Sequence, residues 1–173
     1  MWAFGRYLLI CATREGGLPC PLMGLWDGEY GADWAFNMAN INLEMIYWQA
    51  VGGNLPELLL PVCDYYDTML DDMRENARKL YGCDGIWLSA VSTPGCGRSS
   101  FLERHILNWT GGAAWVSRVY CDFWFMTRDE TFLRGRLLPF LIETAKFYRH
   151  FPTFMRLSGA CFSCRCLSIF LTA

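Results

Sequence analysis

Charge is scarce in this chain. Of its 173 residues 18% are Asp, Glu, Lys or Arg, against 53% hydrophobic, and the formal net charge is -2. A balance so near zero makes no field that would gather nucleic acid, so no nucleic-acid partner is expected. It also leaves little with which to clothe a surface, which suits a slab of a larger body or an obligate binder. Long apolar runs are missing as well. Uncharged stretches such as Glu44 to Glu57 and Arg104 to Arg118 fall short of the roughly 18 apolar residues of a membrane-crossing helix, so no membrane partner is expected either. The opening "MWAFGRYLLICATRE" has an apolar run only from Tyr7 to Ala12, too short for the core of a signal peptide. Ile10 is too bulky for a lipoprotein cleavage site before Cys11. The segment reads as a first helix, and the chain as it stands reads as cytoplasmic.

Histidine occurs twice, at His105 and His150, without ligand-type spacing. Each reads as a loop or surface residue. Cysteine is plentiful, nine in all, but the number is odd and the positions scattered, so no disulfide framework emerges. Most read as small apolar core residues of a reducing compartment. Cys161, Cys164 and Cys166 form C-x-x-C-x-C, one thiolate short of a tetrahedral site and without a second cluster. No metal and no cofactor is expected.

What the chain has in quantity is helical periodicity. Residues 4 to 13 form a short predicted helix with Phe4, Leu8 and Cys11 or Ala12 inward, stopped by the Gly and Pro residues of "REGGLPCPLMG". A second is predicted from Ile41 to Ala50, ending at Gly52 and Gly53. Pro56 opens the clearest one, with Leu59, Val62, Tyr66, Met69, Met73, Ala77 and Leu80 at spacings of three and four. Acids lead it, Arg78 and Lys79 trail it, and Gly82 follows, as the helix dipole and a glycine stop require. Residues 82 to 108 read as irregular, with a short strand at Ile86 to Val91. A further helix carries Ala113, Val116, Tyr120, Phe123 and Trp124. After it comes a short helix, a break near Gly135, and a last helix entered at Pro139. The class is mainly α.

Candidate chemistry centres on "NMANINLEMIYW". Asn40 and Asn42 lie in an apolar, aromatic run, and a buried amide without partners costs roughly 1–3 kcal/mol. The pair is either a satisfied knot or is aimed at a ligand. Asp27, Glu29, Asp33 and Glu44 flank it, and loop solvation is their plain reading. Trp26, Trp34, Trp48, Trp109 and Trp115 stand near glycine-rich turns. A helical core absorbs some of them, while indoles in loops offer flat faces to sugar rings. "GCGRSS" lacks the Lys of a phosphate loop. Ser99 and Ser100 lack a nucleophile elbow. "NWT" at Asn108 is a glycosylation sequon, which matters only on a secretory route.

Three stretches together resemble the catalytic domain of glycoside hydrolase family 95. "GRYLLICATREGGLPCPLMGLWDGEYGADW" resembles its GRYLL…R-x-G-x-LP-x-x-L-x-G-(I/L)-W segment. "NINLEMIYWQAVGGNLPEL" resembles its NINLQMNYW segment. "WTGGAAWVSRVYCDFWFMTRDETFLRGRLLPFLIETAKFY" resembles its W-x-x-GGAW segment and the Pro-led helix. The likeness spans roughly residues 5 to 150. It implies an (α/α)6 barrel, here an incomplete toroid of helical hairpins with long loops. The activity implied is inverting exo-glycosidase action on terminal α-L-fucosyl groups. By this resemblance Asn40 and Asn42 orient the attacking water, and Met38 and Trp109 occupy substrate-binding positions; the substrate is an oligosaccharide or glycoconjugate.

Departures accompany the likeness. Met38 stands where the family's fucosidases usually have His, and methionine cannot donate a hydrogen bond to a hydroxyl. That opens the specificity to a related sugar such as L-galactose. The stretch from Ser89 to Asn108 also differs from the usual pattern. The general acid of the P-S-x-S-P-E-N type and the later general base have no counterpart, so the chain alone is expected to be inactive. Residues 1–151 read as a partial catalytic domain. Residues 152–173 contain no Asp, Glu or Lys and read as an aberrant tail, out of frame or spurious. The rival reading is a non-catalytic carbohydrate-binding or interaction remnant of the same fold; a helical scaffold of unrelated function is the third.

Overall fold

A computed structural model describes residues 1–31, 34, 36–99 and 103–157, the last six by backbone alone. The fold is mainly helical, as the periodicity predicts. In chain order come α1 (Trp2–Ala12), β1 (Asn37–Met38), α2 (Ile41–Gly52), a 3-10 turn (Pro56–Leu59), α3 (Leu60–Asp67) and α4 (Leu70–Tyr81). There follow β2 (Val91–Ser92), α5 (Arg104–Leu107), α6 (Gly112–Thr127), α7 (Glu130–Phe132), a π turn (Leu133–Leu137) and α8 (Leu138–Leu157). The α6 helix is the hub, packed on the 3-10 turn, α2, α3 and α8. Val116 and Tyr120 from α6, Leu43 and Tyr47 from α2, Val62 and Tyr66 from α3, and Phe140 from α8 build one core. Ala77, Cys83, Trp87 and Phe147 form a smaller one between α4 and α8.

The long helix expected from Pro56 keeps its buried stripe but is not continuous. Leu59, Val62, Tyr66, Met69, Met73 and Ala77 are all buried, while Leu80 is exposed. The axis breaks between α3 and α4. There Thr68 turns its hydroxyl back to the Tyr65 carbonyl (2.7 Å), and the Met69 N–H reaches only three residues back, to Tyr66, which tightens the turn. Gly82 then closes α4 in the left-handed conformation.

Three other expectations are corrected. In α1 Ala12 is buried as expected, but its buried partner is Leu9, whereas Leu8 is half-buried and Phe4 and Cys11 are exposed. The reason is Gly5: a Cβ there would lie 3.2 Å from Gln49 Oε1, so α1 lays its smallest face on α2. The predicted strand at 86–91 is a buried irregular segment that reaches strand geometry only at Val91–Ser92. The break near Gly135 is a π turn that joins α7 to α8 without interruption. There Arg136 binds Asp64 (2.8 Å) and Asp67 (2.6 Å), and Asp67 also accepts from the Tyr120 hydroxyl (2.8 Å). The backbone of α8 runs through Leu157; residues 158–173, including Cys161, Cys164 and Cys166, lie outside the described residues.

Candidate functional site

The short ladder between β1 and β2 organises one end of the helices. Asn37 pairs with Ser92 and Met38 with Val91, antiparallel, and the Ala39 N–H donates to the Ala90 carbonyl (2.7 Å). The Tyr65 hydroxyl lies 3.1 Å from Ser92 Oγ and so ties α3 to β2. Immediately after β1, Asn40 caps α2, its Oδ1 accepting from the Asn42 N–H at 3.2 Å. The amide nitrogen of Asn40 has no partner among the described residues.

Beside this ladder opens a cavity of about 600 Å³, within the range of small-molecule sites. Phe36, Met38 and Asn40 line it from the β1 side, and Ala90 and Val91 from β2. Glu103, His105 and Ile106 come from the start of α5, with Trp34 and Trp109 as indole walls. Trp109 backs onto Trp115, ring centroids 6.1 Å apart, and its carbonyl accepts from the Trp87 indole N–H (3.1 Å). His105 Nε2 lies 3.3 Å from Glu103 Oε2, both side chains well exposed.

Of the residues singled out from sequence, Met38, Asn40 and Trp109 therefore meet on one cavity. Asn42 is half-buried in the first turn of α2 and is not among the lining residues; its side-chain amide has no described partner. Among the other indoles, Trp34 joins the wall, whereas Trp26 and Trp48 are about half exposed elsewhere. Asp27 accepts from the Glu29 N–H in an exposed turn, the plain reading of that pair. Asp33 and Ser100 lie outside the described residues.

Glu44 departs from the plain reading. It is 1% exposed, and neither carboxylate oxygen has a hydrogen-bond partner among the described residues. Burial pushes its carboxyl up to about 7. The Tyr66 hydroxyl is likewise buried without a hydrogen-bond partner among the described residues; burial drives it far above the usual phenol range, and Tyr65 and then Glu44 add to the rise. A signal for this burial existed in the sequence: Leu43, Glu44, Tyr47 and Ala50 share one helical stripe. No comparable signal marked Glu103 and His105, whose place depends on where the loop after β2 crosses the ladder.

The domain is thus mainly helical, with the Asn40 amide and the Trp34 and Trp109 indoles gathered on one cavity. The chain belongs to the glycosyl hydrolase family 95 catalytic domain, whose family model matches residues 1–168. It is 30% identical over 150 residues to alpha-L-fucosidase 2 of Arabidopsis thaliana, covering 82% of this chain and 17% of that protein. It is also 30% identical over 153 residues to a probable alpha-fucosidase A of Aspergillus niger, covering 86% of this chain and 19% of that one. A probable alpha-fucosidase A of Aspergillus oryzae matches at 35% over 91 residues. The chain thus spans less than a fifth of the length of these relatives.

Proposed function

We propose that this chain is the N-terminal helical part of the catalytic domain of an inverting glycosidase that removes terminal α-L-fucosyl or related L-galactosyl groups from glycans. The observation that carries this reading is the convergence of Met38, Asn40 and Trp109 on one cavity, although Trp109 is far from the other two in sequence. An indole offers its face to the C–H side of a pyranose. An amide with a free N–H donor holds a water or a hydroxyl. In this scheme Asn40 and Asn42 orient the water that attacks the anomeric carbon from the side opposite the departing oxygen. A carboxyl group beyond these residues protonates that oxygen, and a second deprotonates the water. The present chain supplies recognition and water placement, and the rest of the enzyme supplies acid and base.

The same cavity supports the second reading, carbohydrate binding without hydrolysis, because its contents are recognition groups. Calorimetric titration of the chain with methyl α-L-fucoside tests what the two readings share. Saturable heat that disappears in Asn40→Asp is expected. A folded sample that gives no heat sinks both. Incubation with a chromogenic α-L-fucoside then separates them, since turnover by this chain alone would contradict the assignment of acid and base to other segments.

A further inference from the structure

Five polar side chains are sealed behind the β1–β2 ladder. Glu44 comes from α2, Tyr65 and Tyr66 from α3, Asn37 from β1 and Ser92 from β2, and none is more than 5% exposed. They form one cluster. The Tyr65 hydroxyl lies 3.1 Å from Ser92 Oγ, and the two tyrosine rings meet edge-on with centroids 5.0 Å apart. The Tyr66 phenol is close enough to Tyr65, Ser92 and Glu44 to feel each of them, as Tyr65 feels Ser92 and Asn37. Both Glu44 oxygens, Asn37 Oδ1 and the Tyr66 hydroxyl nevertheless have no hydrogen-bond partner among the described residues. Folded proteins meet such groups with protein atoms or with ordered water.

The chemistry of the four atoms defines what they bind. Three are carboxyl or amide oxygens, which accept, and the fourth belongs to a phenol, which both donates and accepts. The occupant must therefore bring donors. It must also be small, because all five side chains are shut off from solvent. Among the described residues no three Asp, Glu, His or Cys side chains gather to hold a metal ion. We infer that this cluster is an internal hydration site, in which water bridges Glu44 of α2 to Tyr66 of α3 and to the Asn37–Ser92 end of the ladder. Such water makes about three hydrogen bonds to otherwise unmet buried groups and is costly to remove. Here it donates to the Glu44 and Asn37 oxygens and accepts from the Tyr66 hydroxyl. The bridge fastens the first turn of α2, which follows the Asn40 cap and carries Asn42 and Glu44, to α3 and β2. It does so whatever ligand the cavity takes, so it stands apart from the sugar-site reading.

The test uses the full chain. Nuclear Overhauser contacts from long-lived water to the backbone amides of Glu44 and Ser92 are expected in the unaltered protein, a readout that needs no variant to fold. Their absence overturns the inference. Folding equilibrium constants are then measured at pH 5 for Glu44→Met, Tyr66→Phe and the double variant. If water serves both groups, Tyr66→Phe lowers the constant about tenfold, and the double variant loses less than the product of the two single losses, because each surrenders the same water. A dry site gains when unpaired polar groups become apolar, so single variants at least as stable as the unaltered chain overturn the inference. Exchanging choline for sodium or potassium at fixed ionic strength should leave the midpoint unmoved; a rise would assign the site to a cation instead and overturn it as well.

Discussion

The two ends of this molecule treat their polar groups in opposite ways. Between α3, α6 and the π turn, polarity is paired. Tyr120 donates to Asp67, Arg136 bridges Asp64 and Asp67, and the Tyr120 ring stacks on Phe140 at 4.6 Å. Around the β1–β2 ladder and the α2 face behind it, Asn37 Oδ1, both Glu44 oxygens and the Trp109 indole N–H are buried without hydrogen-bond partners among the described residues, as are the Tyr66 hydroxyl of α3 and the Trp124 indole N–H of α6. A folded chain leaves few such groups unpaired. Of these groups Trp109 lines the cavity, the others lie in the packing behind it or along α6, and the ion-paired network holds the helices in place. Exposed apolar side chains gather on the unpaired side too: Ile41, Met45, Trp48 and Val51 run along the outer face of α2.

The largest expected effect falls on the packed end. Gly85 has φ +88, and a Cβ there would drive into the Glu143 carbonyl and lie 2.5 Å from the Phe147 nitrogen of α8. Gly85→Ala combines left-handed strain with overpacking and should cost about 4 kcal/mol. Denaturant unfolding measures it, and a loss under 1 kcal/mol would mean that this crossing is not tightly packed. Glu44 tests the other end. Unfolded, its carboxyl titrates near 4.5, and folded near 7. Below pH 4.5 both states hold the proton. As pH rises toward 7 the unfolded chain releases it first, so the folded state loses stability, by up to about 3 kcal/mol. Comparing unfolding midpoints at pH 5 and pH 7.5 should show that Glu44→Gln removes most of this dependence; an unchanged slope would place the titration elsewhere.

Smaller effects sharpen the contrast. Tyr120→Phe removes one buried hydroxyl from the paired network and should cost about 1–2 kcal/mol by thermal unfolding, with no change in sugar affinity. A coupled loss of binding would show that the two ends are not independent. At Asn40 two roles sit on one side chain. Asn40→Ala should cost about 1 kcal/mol through the lost cap. Asn40→Asp keeps the capping oxygen and should change stability by less than about 0.5 kcal/mol while abolishing fucoside binding. Binding retained by Asn40→Asp would reduce Asn40 to a helix cap.

How far these features were legible depended on their range. The stripe from Leu59 to Ala77 was readable because burial follows the helical period, whatever happens to the axis. The break at Thr68 was not, because it turns on a side-chain hydroxyl bonding back to Tyr65. The inward face of α1 was misjudged because hydrophobicity singles out Phe4, while close packing selects Gly5. Met38, Asn40 and Trp109 stood out through their motifs. Glu103 and His105, in the stretch that departs from the family pattern, did not.

The sequence by itself determined the helical class, the glycine stop at Gly82 and the family. Each rests on contacts within a few residues or on motifs that survive as strings. The tertiary structure decided that Glu44 is buried, that α1 rests on Gly5, and which side chains share the cavity. Dielectric surroundings and close approach are set by neighbours distant in the chain, and no local pattern encodes their distances.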